Sequence, residues 1–362
     1  MRTEGSLKLK KATGHWTSSA KVYKEIIFLI GVMKKSALLL LLIPVVLMGM
    51  YVALQNHSSS STTQYAVGDI GDISLYFCPQ DDCEQLLLQW LDSAQTSIHC
   101  ALYEIDLPSV QQKLLEKETT VEVRVVTDND YLKQFNYPFV KADKSGLMHN
   151  KFCVIDGERV STGSMNPTVN DAHKNNNNFL LITSSHIAQN YEQEFAELWN
   201  GTFKTGNLVK NPTIEINSTI LQTYFCPEDS CAAKVQKELA KAQESIDFMT
   251  FSFTHEKIAN AILFRYLEGV QVRGVFETRQ NDEYSQYAVL LYNIGSIRKD
   301  GNKNTMHHKV FIIDGKTVVT GSFNPTGGGD KRNDENLLII TDERIAQLFT
   351  QEFEKVYAEA KI

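Results

Sequence analysis

Apolar and polar positions follow two alternating patterns through residues 71–362. Apolar residues spaced three and four apart, typical of amphipathic helices, give way to short β-rich runs. The predicted helices are 84–96, 108–118, 186–199, 232–243, 255–268 and 342–359, and the predicted strands between them are 97–104, 121–127, 245–253 and 270–277. Strands that alternate with helices indicate βαβ units. The pattern therefore predicts an α/β fold with mixed sheets flanked by helices.

The same elements occur twice because the sequence itself is repeated. MHNKFCVIDGERVSTGSMNPT at 148–168 and MHHKVFIIDGKTVVTGSFNPT at 306–326 align without gaps and are identical at 13 of 21 positions. A YFCP segment precedes each copy, and NNNNFLLIT and NDENLLIIT follow them. Repetition of this kind predicts two copies of one structural unit.

Each copy supplies only one set of the repeated polar residues, so we expect the two to pack as one unit. We predict repeats at 71–204 and 224–362, joined by a linker at 205–223 and related by a pseudo-twofold axis in a single catalytic domain. The second repeat has about ten extra residues, which we place at 281–293. Because both motifs lie in one chain, an oligomer is not required.

A different pattern precedes the repeats. Residues 36–54 are nineteen uncharged, mostly apolar residues directly after Lys34 and Lys35. At about 1.5 Å per residue such a helix nearly covers a bilayer core of roughly 30 Å, and the lysines favour a cytoplasmic start. We expect an uncleaved signal anchor, a polar linker at 55–70 and an extracytoplasmic catalytic domain; secretion after signal cleavage is the alternative. Residues 1–35 are then a cytoplasmic tail or a misassigned start.

The six cysteines fit an extracytoplasmic position. Two pairs have the same C-x4-C spacing: Cys78 with Cys83, and Cys226 with Cys231. Small-loop disulfides are the preferred interpretation, with free thiols or a four-cysteine zinc site as alternatives. Cys100 and Cys153 lie in apolar strand patterns, and we predict that they are small core residues.

Each repeated segment reads H-x-K-x4-D-x6-G-S-x-N. His149 and Lys151 are two apart in a predicted strand, so they share one face. Asp156 and the following glycine are a hairpin signal, and a two-residue loop would place Lys151 opposite Thr162 and His149 opposite Ser164. The second copy repeats these positions as Lys309 opposite Thr320 and His307 opposite Ser322, with Asn166 and Asn324 beside the serines and Asp314 at the turn. Asp156 and Asp314 either serve the turns alone or orient the lysine and histidine.

Two such hairpins face to face would gather the groups that a phosphodiester needs. The two lysines and two asparagines can donate to the non-bridging phosphate oxygens, and Ser164 and Ser322 add hydroxyls. One neutral imidazole can attack phosphorus while the other, protonated, protonates the leaving oxygen. With an ordinary histidine pKa of about 6.5, both states are accessible near neutral pH. This chemistry requires no metal and no cofactor.

The paired HxKxxxxD and GSxN motifs resemble those of the phospholipase D superfamily, which includes phospholipases D, cardiolipin-synthase-like transferases and endonucleases. The resemblance covers residues 73–358. It implies a covalent phosphohistidine intermediate, with His149 as the nucleophile and His307 as the acid. It also implies a histidine-orienting carboxylate after GSxN; Glu335 fits, whereas its counterpart in the first repeat is Asn177.

The substrate is left open between several classes. The apolar N-terminal run favours a hydrolase or transferase acting on phospholipid head groups at a membrane surface. A metal-independent endonuclease acting on single-stranded nucleic acid is the alternative. Of the 36 Lys and Arg and 43 Asp and Glu, residues 1–65 hold 8 and 2, so the remaining chain is acidic and lacks the basic surface typical of nucleic-acid binding. A non-catalytic binding protein is a minor alternative, disfavoured by two intact motifs.

Overall fold

A computed structural model describes residues 66–144 and 146–362. The apolar run at 36–54 lies outside these residues. Among the helices of the described part, none is long and apolar enough to cross a membrane.

Seventeen strands, nine α-helices and two short 3-10 helices build the described part of the chain. The strands are β1 (Val67–Asp69), β2 (Asp72–Cys78), β3 (Ser97–Leu102), β4 (Glu122–Thr127), β5 (Val140–Ala142), β6 (Leu147–Met148), β7 (Lys151–Ile155), β8 (Arg159–Gly163), β9 (Asn177–Thr183), β10 (Thr213–Ile216), β11 (Thr219–Cys226), β12 (Ser245–Thr250), β13 (Gln271–Phe276), β14 (Ile297–Lys299), β15 (Lys309–Ile313), β16 (Thr317–Gly321) and β17 (Asn333–Thr341). The helices are α1 (Cys83–Asp92), α2 (Pro108–Glu118), α3 (Val169–His173), α4 (Ser185–Trp199), α5 (Cys231–Leu239), α6 (Glu256–Leu267), α7 (Tyr287–Ile294), α8 (Gly327–Lys331) and α9 (Glu343–Glu359).

The two repeats form two mixed sheets with the same strand order. The first runs β2-β9-β8-β7-β3-β4-β5, and the second contains the equivalent series β11-β17-β16-β15-β12-β13-β14. In each of these two series the last three strands pair in parallel and the others pair antiparallel. The predicted α/β repeats with mixed sheets are confirmed.

The segment expected to link the repeats is itself part of a sheet. Residues 205–223 contain β10 and the start of β11, which pair as antiparallel neighbours. Strand β1, from before the first repeat, lies parallel to β10. A strand of the expected 55–70 linker therefore completes the edge of the second repeat's sheet.

Helices α4 and α9 contribute to one shared core between the repeats. It contains Phe152 and Leu180 of the first repeat and Phe225, Leu338 and Phe353 of the second, all with at most 2% of their surface exposed. Burial of each such side chain is worth about 1.5–3 kcal/mol. Two smaller cores lie within the individual repeats. The shared core makes the repeats one packed body.

The motif hairpins differ by one residue from the predicted register. Ile155 pairs with Arg159 instead of Glu158, so the loop has three residues and the pairings expected for Lys151 and His149 do not form. Asp156 and Gly157 both adopt positive φ, and the Glu158 N–H donates to the Ile155 carbonyl at 3.1 Å. Glu158 is the third loop residue, and its own carbonyl accepts the Ser184 N–H at 3.0 Å. The second hairpin repeats this, with Ile313 opposite Thr317.

All three cysteine pairs are disulfides. Cys78–Cys83 and Cys226–Cys231 close the predicted small loops. Cys100 and Cys153 are buried core residues as predicted, but they also form a third bridge that was not predicted, because they lie directly opposite each other on the antiparallel strands β3 and β7.

Candidate active site

The two motif histidines lie together because the residues just before each histidine pair with a strand of the other repeat. Strand β6 runs parallel to the start of β17, and the His149 N–H donates to the carbonyl of Asp334 at 2.9 Å. Equivalently, Met306 forms a bridge with Asn176, whose carbonyl accepts from the His307 N–H at 2.9 Å. This reciprocal pairing brings both imidazoles to one cavity, as predicted for a single site.

Glu335 of the second repeat holds His149 of the first. Its Oε2 lies 2.7 Å from His149 Nδ1 and accepts the Ser322 hydroxyl at 2.6 Å. The carboxylate is fully buried, and the Tyr103 ring packs edge-on against the imidazole at 4.9 Å between centroids. With Nδ1 engaged, Nε2 is the nitrogen left for chemistry in the cavity.

His307 is held from the first repeat by two groups. Its Nδ1 lies 2.9 Å from Asn177 Oδ1 and 3.4 Å from Asp171 Oδ2. Asp171 was not predicted, because it aligns with Gly329 in the other repeat while Asn177 aligns with Glu335. The carboxylate absent at 177 is supplied six positions earlier, by helix α3. The sequence feature that could have revealed Asp171 is that it lies shortly after the GSxN segment and has no acidic counterpart at the aligned position of the other repeat.

Both motif lysines are buried beneath the histidines. Lys151 Nζ donates to the His149 carbonyl and Lys309 Nζ to the His307 carbonyl, each at 2.7 Å. Burial lowers the pKa of Lys151 to about 8, and burial followed by repulsion from Lys151 lowers the pKa of Lys309 well below its ordinary value. Poorly solvated ammonium groups interact strongly with an incoming anion.

The predicted phosphate-binding residues divide into two groups. Asn166 and Asn324 line the cavity. Ser164 and Ser322 are fully buried behind the histidines, where each hydroxyl donates to the group that holds the opposite histidine: Asn177 at 3.0 Å and Glu335 at 2.6 Å. The serines therefore support the histidine partners instead of lining the cavity.

The structure does not bring the motif aspartates to the histidines. The Asp156 carboxylate accepts backbone N–H groups of Gln95, Thr96 and Ser97 at 2.7–3.1 Å, and Asp314 does the same for residues 243–245. Burial alone would raise the pKa of Asp156, but these hydrogen bonds lower it to about 2. Of the two roles left open for these aspartates, the contacts favour the structural one: each ties its hairpin turn to the loop before β3 or β12.

The cavity has a volume of about 650 Å³. It is lined by both histidines, both asparagines, Asp171, and further residues of each repeat: Tyr103, Glu104 and Asp106 from the first, and Phe251, Ser252, Thr254 and Arg332 from the second. The described part of the chain places a single arginine and no lysine among the lining residues.

Both histidines are neutral at pH 7 in the free protein. Burial lowers the pKa of each to about 4, reinforced by the nearby lysines and only partly opposed by Glu335 for His149 and Asp171 for His307. The expectation of an ordinary pKa near 6.5 is therefore corrected. A bound phosphodiester brings a negative charge that favours the imidazolium needed to protonate a leaving group.

These pKa values predict an acid-shifted pH profile. Since imidazolium is populated in the free protein only near and below pH 4, kcat/KM should fall from about pH 5 to about pH 8 and also fall at more acid pH, where the nucleophile is protonated. The alkaline limb of kcat should lie at higher pH than that of kcat/KM, because kcat reports the histidine pKa in the complex with the anionic substrate, where the imidazolium is favoured. Steady-state kinetics across this range test it. A kcat/KM that stays constant to about pH 8 would contradict the assignment.

Comparison with known proteins agrees with this geometry. The family model described as cardiolipin synthase, PLD-like domain, matches residues 87–199 and 235–357. The chain belongs to this phospholipase D-like family. A protein named phospholipase D from Rickettsia prowazekii (strain Madrid E) is 33% identical over 141 residues, covering 38% of this chain and 67% of that protein. The mitochondrial cardiolipin hydrolase of Xenopus tropicalis is 33% identical over 138 residues, covering 37% of this chain and 66% of that protein.

The fold is also found among solved structures. The phosphatidylserine synthase of Haemophilus influenzae Rd KW20 matches with a TM-score of 0.60 at 12% identity, covering 79% of this chain and 87% of that chain. At this identity the likeness shows the fold alone. Together with the family match and the relatives, the two-histidine site makes the chain a phosphodiesterase of the phospholipase D type.

Proposed function

We propose that this phospholipase D-like enzyme hydrolyses, or transfers, the head-group phosphodiester of phospholipids through a phosphohistidine intermediate. The observation that carries the proposal is the pair of histidines in one cavity, each with Nδ1 bound by the opposite repeat. This arrangement leaves two Nε2 atoms for the reaction. The relatives named phospholipase D and cardiolipin hydrolase support a lipid substrate.

The reaction follows from two different roles for the imidazoles. His149 Nε2 attacks phosphorus and forms an N–P bond, the P–O bond to the head-group alcohol breaks, and His307 gives its proton to that oxygen. His307 then takes a proton from water or an alcohol, which attacks phosphorus and releases His149. Lys151 and Lys309 stabilise the charge on the phosphate, and Asn166 and Asn324 donate to its oxygens.

A substrate panel tests this proposal. Full-length protein is incubated in EDTA with phosphatidylcholine vesicles, cardiolipin vesicles and single-stranded DNA, and the products are measured by mass spectrometry. We expect lipid cleavage that persists in the chelator, because the lysines and asparagines provide the charge stabilisation. The double variant His149→Ala/His307→Ala controls for contaminating activity.

Two outcomes would contradict the proposal. Cleavage of DNA without cleavage of either lipid would favour the endonuclease alternative. Loss of turnover in EDTA, restored by zinc or magnesium, would show that the proposed metal-free mechanism is wrong.

We further propose that the enzyme is anchored by residues 36–54 with its catalytic domain outside the cytoplasm. The apolar run after Lys34 and Lys35 supports an anchor, and the three disulfides support an oxidising compartment. Protease added to intact cells should digest the catalytic domain. Full protection from the protease would show that the orientation is wrong.

A further inference from the structure

The two walls of the cavity differ in charge although equivalent residues build them. Glu104 and Asp106 follow β3, and their counterparts after β12 are Ser252 and Thr254. Backbone bonds show the equivalence: the Asp106 and Thr254 N–H groups each donate to the carbonyl of the proline in their NPT segment, at 3.1 and 3.0 Å. The first repeat's wall is therefore acidic where the second repeat's wall is neutral.

This asymmetry leaves the site with a negative balance. Around the two histidines, the described residues include three cations, Lys151, Lys309 and Arg332, and four carboxylates, Glu335, Asp171, Glu104 and Asp106, with Asp128 as a further carboxylate near Lys151. The carboxylates therefore outnumber the cations before a phosphodiester adds another negative charge. Like charges in a poorly solvated site repel each other. A substrate that also carries a positive group would offset this repulsion.

Two of the four carboxylates are available to such a group. Glu335 and Asp171 are bound to the histidines. Glu104 has a donor on Oε1, the Gln134 amide at 3.1 Å, and Asp106 has a donor on Oδ1, the Val169 N–H at 2.7 Å. In the described part of the chain no donor reaches the second oxygen of either group. Both are partly exposed at the cavity wall, where a ligand can reach them.

We propose that Glu104 and Asp106 form a subsite for the ammonium group of a zwitterionic head group, and so orient the substrate in the pseudo-symmetric cavity. This subsite rests on the proposed function and narrows its substrate class to phosphodiesters whose alcohol carries a cation. The phosphate lies over the lysines and the ammonium against the first repeat's wall. The raised pKa of Glu104, caused by burial and by repulsion from Asp106, agrees with a place for a cation.

Head-group selectivity tests the subsite. Full-length protein is assayed on vesicles of phosphatidylcholine and of phosphatidylglycerol with identical acyl chains. We expect at least about tenfold higher kcat/KM on phosphatidylcholine. The double variant Glu104→Gln/Asp106→Asn should lose about 10- to 100-fold on phosphatidylcholine and retain or increase its activity on phosphatidylglycerol, because a repulsion is removed. Equal losses on both lipids, or no loss on phosphatidylcholine, would overturn the subsite.

Binding of soluble head groups separates this proposal from the lipid-cleaving function. Calorimetry with glycerophosphocholine and glycerophosphoglycerol should show tighter binding of the choline compound to the unaltered protein and equal binding to the double variant. If neither lipid is cleaved but this difference is found, the proposed function fails and the subsite stands. If the two compounds bind the unaltered protein equally, the subsite is wrong whatever the activity. Glu118→Gln, an exposed carboxylate at the end of α2, is the matched control and should change nothing.

Discussion

Replacement of His149 or His307 by alanine is expected to reduce turnover of a natural lipid by about 10⁴-fold or more, since the imidazoles act as a unit. A substrate with a very good leaving group should separate their roles. His307→Ala should still accumulate phosphoenzyme on it, because the leaving oxygen no longer needs a proton. His149→Ala should form none. Rapid quenching followed by mass spectrometry measures the phosphorylated protein.

The controls for this experiment come from the same chain. His173→Ala removes an exposed histidine of α3 that pairs with Glu84 outside the cavity, and should leave turnover unchanged. Circular dichroism checks that the site variants fold, because each leaves a buried partner without its imidazole. The opposite trapping pattern would reverse the roles. Phosphoenzyme on neither variant, nor on the unaltered protein, would argue against a covalent path.

Glu335→Gln is expected to lower kcat by about 10²- to 10³-fold with little change in KM. The buried carboxylate holds His149 Nδ1 at 2.7 Å and bonds Ser322, so an amide keeps the shape but removes the charge. Without that charge the pKa of His149 should fall further and the acid limb of kcat/KM should move to lower pH. The pH profile separates this positioning role from a general loss of stability.

Asp171→Asn should impair His307 in the same way, and the sequence offers a specific rescue. Asn177 Oδ1 already lies 2.9 Å from His307 Nδ1, so Asn177→Asp would return a carboxylate to the position that Glu335 occupies in the other repeat. We expect Asp171→Asn/Asn177→Asp to recover most of the lost kcat. Normal kcat of Asp171→Asn alone would show that His307 needs no carboxylate.

The sequence by itself determined the repeat, the element order and the chemical inventory of the site. Amphipathic periodicity depends on neighbours along the chain, so the predicted helices and strands agree with the structure to within a few residues, as at 108–118 and Pro108–Glu118. Two gapless copies of one motif also imply two equivalent sheets, because equal sequences fold alike. The histidines, lysines and asparagines of the site follow from that repetition.

Only the tertiary structure decided how these groups act on one another. The one-residue change in the hairpin register involves a contact from outside the hairpin, the Ser184 N–H that donates to the Glu158 carbonyl of the loop, and the Cys100–Cys153 bridge depends on which strands are neighbours. The partners of His149 and His307 come from the opposite repeat, so no pattern within one repeat reveals them. The low histidine pKa values arise from burial between the repeats. Contacts between segments far apart in sequence, and the solvent they exclude, exist only once the two repeats have packed together.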